Sequence, residues 1–150
     1  MINEIRKRML VWDSPLYVSH WILALCFVGA ILTQESNLGA NVGSCYLTNT
    51  TTGAGIRVST GVALERVMKP ERDVAPFLEI TKEVGRDYLS TRVSCPFTIG
   101  YGGAMGPAQF IPSTWNMFKK RIATMLNAEV ADPWNPEHAF MASSLYLADL

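Results

Sequence analysis

Gly100-Tyr101-Gly102-Gly103-Ala104-Met105-Gly106-Pro107-Ala108-Gln109-Phe110-Ile111-Pro112-Ser113-Thr114-Trp115 runs from a glycine-rich loop into the start of a helix. Four glycines between Gly100 and Gly106 give a backbone that approaches a ligand closely or adopts positive φ. Pro107 is expected to open a short helical turn that holds Gln109. The glutamine amide offers a donor and an acceptor, suited to a sugar N-acetyl group or to orienting a carboxyl. Tyr101 and Phe110 offer flat apolar faces for sugar rings. The spacing is not that of a dinucleotide fingerprint and no strand precedes it. It is not a phosphate loop either, because Gly-Lys-Ser/Thr is missing.

Downstream, Trp115, Phe118, Ile122 and Leu126 line one face of an amphipathic helix over 113–126. Lys119, Lys120 and Arg121 read as its solvated face. Asp132-Pro133-Trp134-Asn135-Pro136 is a rigid turn, with Asn135 as cap and Pro136 at the first position of a last helix. That helix carries Phe140, Leu145 and Tyr146 and is expected to break off in mid-course at Leu150. Upstream, Asp73 is expected to cap a helix through Val84, with Pro76 in its first turn and Gly85 closing it. Val62, Leu64 and Val67 predict a short helix over 61–68 that Pro70 ends, and 39–60 reads as a long polar loop. No segment alternates convincingly with period two. The fold expected is mainly α, with long loops.

Residues 14–34 carry no charge, and Arg6, Lys7 and Arg8 precede them. The run Trp21–Leu32 fits an export signal or short membrane anchor, and equally a buried core helix; sequence leaves both open. Cys26 within it reads as a buried thiol. Cys45 and Cys95 lie in polar stretches, where spacing allows either a disulfide between loops or two free thiols. Three cysteines and two distant histidines show no metal-ligand spacing, so neither metal nor organic cofactor is expected.

Thirteen basic and thirteen acidic residues cancel, which leaves no basic field to gather nucleic acid. The apolar share of 49% argues against disorder, and 150 residues allow one domain. Charge placement says more. Between Asp13 and Arg57 the only charged residue is Glu35, and between Arg92 and Lys119 there is none. A carboxylate at the end of an apolar helix is desolvated, which raises its pKa. A protonated carboxyl near neutral pH is what a general acid needs to donate to a glycosidic oxygen.

Three motifs carry a resemblance: Gln34-Glu35-Ser36-Asn37-Leu38-Gly39, the Gly103–Ser113 run, and Asp132–Pro136 followed by a helix. Their order and spacing resemble the membrane-bound lytic murein transglycosylase B family over most of residues 28–150. The resemblance implies a lysozyme-like helical domain at 27–150, preceded by an atypical apolar segment at 1–26 and truncated at its C-terminus. It implies cleavage of the β-1,4 bond between N-acetylmuramic acid and N-acetylglucosamine, with Glu35 as the single acid and base and a 1,6-anhydro end as product. It implies substrate contacts from Gln109, Tyr146, Arg72 and Ser36, beside those expected of Tyr101 and Phe110. Glu71 stands where relatives carry a second cleft arginine. The partner expected is the peptidoglycan strand, outside the cytoplasmic membrane, with a membrane tether through the N-terminal segment as a further expectation. The alternatives are a non-catalytic wall-binding or membrane-tethered scaffold, and a lysozyme-type hydrolase.

Overall fold

A computed structural model describes residues 39–150 without a break and, before them, Ser19, Ile22, Leu23, Cys26, Phe27, Gly29, Ala30, Thr33, Gln34, Ser36 and Asn37. Most of the expected 1–26 segment therefore lies outside the described residues. Its described positions are helical and exposed: Ile22 is 55% and Leu23 66% accessible, and Phe27 beyond them 60%. Cys26 is exposed as well, which corrects its reading as a buried thiol. Apolar composition here does not coincide with burial. No helix among the described residues is long and apolar enough to cross a membrane.

Strands β1 (Cys45–Leu47), β2 (Gly55–Arg57) and β3 (Ala63–Leu64) form an antiparallel meander in that order. Cys45 lies opposite Arg57, and Ile56 opposite Ala63. The long loop expected over 39–60 is thus partly a hairpin. Its turn is held by Asn49, whose Oδ1 accepts from the amides of Thr51 and Thr52, both at 2.9 Å. The helix expected over 61–68 is absent. The amide of Arg57 bonds Val62 O at 2.9 Å, and this pairing prevails over a helical period supported by only three apolar positions.

A π-helical turn (Pro70–Val74) runs straight into α1 (Ala75–Glu83). The helical path starts at Pro70, not at a cap on Asp73; proline fits a first turn because its missing N–H would have no partner there. Arg86 N bonds Thr81 O at 2.8 Å, closing α1 around Gly85 as expected. A 3₁₀ turn (Tyr88–Ser90) leads to Val93, which pairs with Cys45 through two backbone bonds of 3.0 and 2.9 Å. Helices α2 (Pro112–Met125) and α3 (Pro136–Ala148) follow. Asn135 Oδ1 accepts from Glu137 N at 2.9 Å, so α3 has the cap its sequence calls for.

Phe77 and Ile80 of α1, and Trp115, Phe118 and Ile122 of α2, are buried with Leu145 of α3. Leu47, Val67, Met68 and Val93 join them from the sheet side. Each large side chain so buried contributes roughly 2 kcal/mol. Helix makes up about 44% of the described residues, beside this small sheet. The basic face expected on α2 is only partly solvated. Lys119 is 14% exposed at its side chain and bonds Glu79 and Glu83 of α1 at 2.9 Å each, bracing the two helices.

Candidate functional site

The three sequence motifs meet at Gly106-Pro107. The Ser36 hydroxyl donates to Pro107 O and accepts from Gly39 N at 2.9 Å. Gly39 packs on the same proline: a Cβ there would lie 3.2 Å from Pro107 Cγ. On the other side a Cβ on Gly106 would come within 1.8 Å of Pro133 O, and φ at Gly106 is +62°. Only glycine permits that approach of the loop to the Asp132–Pro136 turn.

The turn is itself fixed from two elements. Asp132 N donates to His138 Nδ1 of α3 at 2.9 Å, and Asp132 Oδ1 accepts from Trp134 N at 2.8 Å. Arg86, just past α1, lies 3.5 Å from Asp132 Oδ2 and 4.8 Å over the Trp134 ring. The ion pair and the cation–π contact both tie the turn to the end of α1.

Between Met105 and Phe110, which bond as a bridge, residues 106–109 form a turn rather than the helical turn expected after Pro107. Gln109 takes φ +53°, a left-handed conformation that costs a non-glycine residue energy. Its backbone N (3.2 Å) and side-chain Nε2 (2.7 Å) both donate to Gly106 O. Local bonds therefore hold the strained residue in one orientation.

Gln109 lines two adjoining hollows. The apolar one, about 330 Å³, is walled by Phe110, Ile111, Thr114, Tyr146 and Leu147. The polar one, about 390 Å³, is walled by Asn41, Ser44, Arg57, Ser94 and Phe97. Phe110 stands edge-on to Tyr146 at 5.9 Å and to Trp115 at 6.2 Å, so most of its ring serves the core and only part of it the hollow. Tyr146 is 44% exposed and keeps an accessible face.

The other expected site residues fall elsewhere. Ser36 is 2% exposed, and its hydroxyl faces the loop through its bond to Pro107 O. Tyr101 is exposed but lines neither hollow. Arg72 lines neither hollow as well; its Nε donates to the buried Asp73 carboxylate at 2.8 Å, which holds its pKa above the ordinary value. Asp73 in turn accepts from Ser113 N at 3.3 Å, capping α2 from another element. Cys45 and Cys95 are bonded, with Cα atoms 5.1 Å apart. Glu35 lies outside the described residues. Arg57 escaped the sequence reading, although it is the charge that ends the charge-poor stretch after Glu35. It sets a cation in the polar hollow, whose other described lining residues carry no charge.

The fold of this chain has counterparts among solved structures. Two solved structures share it: a 36 kDa muramidase/transglycosylase, and the Escherichia coli lytic transglycosylase Slt35 in complex with bulgecin A. Each is 15% identical in sequence, with a TM-score of 0.55 over 99% of this chain. The chain spans 45% of the length of either structure. No family model and no curated protein matches the sequence.

Proposed function

We propose that this chain is a lytic transglycosylase domain that cleaves the β-1,4 bond between N-acetylmuramic acid and N-acetylglucosamine in peptidoglycan. The observation that carries the reading is the meeting of three separate motifs at Gly106-Pro107, beside two hollows that share Gln109, on this fold. A long polymer with alternating apolar and polar faces suits such a pair of hollows. Tyr146 and the exposed part of Phe110 supply a surface for a sugar ring, and the Gln109 amide supplies hydrogen bonds to an N-acetyl group.

Glu35 is the acid and base by its place in the Gln34–Gly39 motif. As carboxylic acid it gives its proton to the glycosidic oxygen, and the C1–O bond breaks. As carboxylate it takes the proton of the muramic C6 hydroxyl, whose oxygen bonds C1. The product is a 1,6-anhydromuramoyl end, Glu35 regains its proton, and no water is consumed. One carboxylate therefore suffices, where a hydrolase employs two. Ser36, Gly39 and Pro107 act by fixing the backbone that follows Glu35. Arg72 acts at a distance, through Asp73 and the N-terminus of α2. The substrate places the activity outside the cytoplasmic membrane, and the Cys45–Cys95 bridge is of the kind that persists in an oxidising compartment.

The test is digestion of purified sacculi followed by mass spectrometry of the soluble muropeptides. Anhydro ends are expected. Reducing ends, heavier by one water, would assign a lysozyme-type hydrolase, and intact sacculi that retain the protein would assign a binding scaffold.

A further inference from the structure

The polar hollow contains one charged residue among its described lining, Arg57, and no carboxylate. Arg57 has no ion pair among the described residues. Its backbone is held firmly: it lies opposite Cys45 in the sheet and bonds Val62 O at 2.9 Å. Directly paired residues project to the same face of a sheet, so Arg57 stands beside the Cys45–Cys95 bridge. That bridge fastens the wall carrying Ser94 and Phe97 to the strand opposite Arg57. An unpaired guanidinium in a rigid hollow with no other charge among its described lining is built to accept an anion, and its planar fork matches a carboxylate.

We propose that this hollow is a carboxylate-reading subsite, in which Arg57 binds an acidic substituent carried on the sugar. The inference rests on the glycan-cleaving reading and adds the chemistry of one substituent to it. Gln109 lines both hollows, so a group held by Arg57 hangs from a sugar whose neighbour occupies the aromatic side. On a muramoyl unit the carboxylate comes from the lactyl ether when the unit bears no peptide, and from the peptide when it does. The subsite thus distinguishes muramoyl from glucosaminyl positions and sets the register of the strand.

Calorimetric titration of Glu35→Gln protein with three probes tests this. The probes are the neutral tetramer of N-acetylglucosamine, the peptide-free tetrasaccharide of alternating N-acetylglucosamine and N-acetylmuramic acid, and the same tetrasaccharide bearing its peptides. At least one acidic probe is expected to bind about tenfold more tightly than the neutral one, the worth of one charge-assisted pair. The acidic probe that binds better identifies the source of the carboxylate. Adding Arg57→Gln is expected to remove the preference and leave the neutral probe's affinity unchanged, and Arg57→Lys to keep part of it. Should Arg57→Gln fail to fold, the methyl ester of the preferred probe against the Arg57 protein reads the same interaction, and its affinity should fall to the neutral level. Equal affinity for all three probes, or a preference that survives Arg57→Gln or esterification, overturns the subsite while leaving glycan binding intact. Absence of binding by any probe overturns the glycan-cleaving reading along with it.

Discussion

The Ser36 hydroxyl donates a hydrogen bond to the Pro107 carbonyl across 71 positions of sequence, joining the segment that carries Glu35 to the loop that carries Gln109. Both residues are buried, so no solvent replaces the bond if it is lost. Ser36→Ala leaves the Pro107 carbonyl without this donor and should cost about 1–3 kcal/mol in urea denaturation. If the buried hydroxyl acts by orienting backbone, turnover should fall while affinity for sacculi changes little. An Ala variant as stable and as active as the parent would remove Ser36 from the account.

Gly106 tests the other junction. A methyl group there meets Pro133 O at 1.8 Å in a backbone already at positive φ. Gly106→Ala should destabilise by about 3 kcal/mol or more, combining left-handed strain with a clash against backbone. Thermal unfolding monitored by circular dichroism measures it. A small shift would mean that the loop and the Asp132–Pro136 turn are not in contact.

Asp73 is fully buried, accepts from Ser113 N, and pairs with Arg72. Asp73→Ala removes a helix cap and a charge partner together, and should cost about 3 kcal/mol. Arg72→Ala keeps the cap but leaves the fully buried Asp73 carboxylate without its ion partner, and should cost a comparable amount, about 3 kcal/mol. A loss under about 1 kcal/mol from Asp73→Ala would contradict the capping role.

These relationships separate what the sequence disclosed from what it hid. The helices α2 and α3 were legible because Trp115, Phe118 and Ile122 keep a helical period and because Asn135-Pro136 is a start signal. The strands were not, because segments of three, three and two residues are too short to show an alternation. Asp73 looked like the cap of its own helix. It caps α2 instead, forty positions along the chain, and no local pattern encodes that pairing. The glycine-rich surroundings singled out Gln109, which lines both hollows, whereas its left-handed backbone was not legible, since nothing but the closed turn enforces it. Arg57 carried no signal of its own, because the hairpin that aims it forms from those same short strands.

The Lys119 brace predicts a pH dependence. The hydrogen bond from Lys119 lowers the Glu79 pKa below its ordinary 4.5. A depressed carboxylate contributes stability that is present above the unfolded value and lost as pH falls through the folded one. Burial works against the Lys119 ammonium, but its bonds to Glu79 and Glu83 outweigh that and raise its pKa above 10.5. Its contribution is therefore full below 10.5 and lost as pH rises past the folded value. Lys119→Met should lower stability by about 1 kcal/mol at neutral pH and weaken the decline on both flanks. Urea midpoints from pH 3 to 11 check this, and an unchanged acid limb would mean that Glu79 gains nothing from Lys119.

In the proposed reaction one carboxylate, Glu35, performs both proton transfers on a glycan held across Gln109. Its most direct test is the release of anhydromuropeptides from sacculi by the parent protein and by Glu35→Gln, with sedimentation as a measure of binding. Glu35→Gln is expected to sediment with sacculi as the parent does and to release no anhydro product above background. Release at a rate near that of the parent would contradict this and place the proton transfers on another residue.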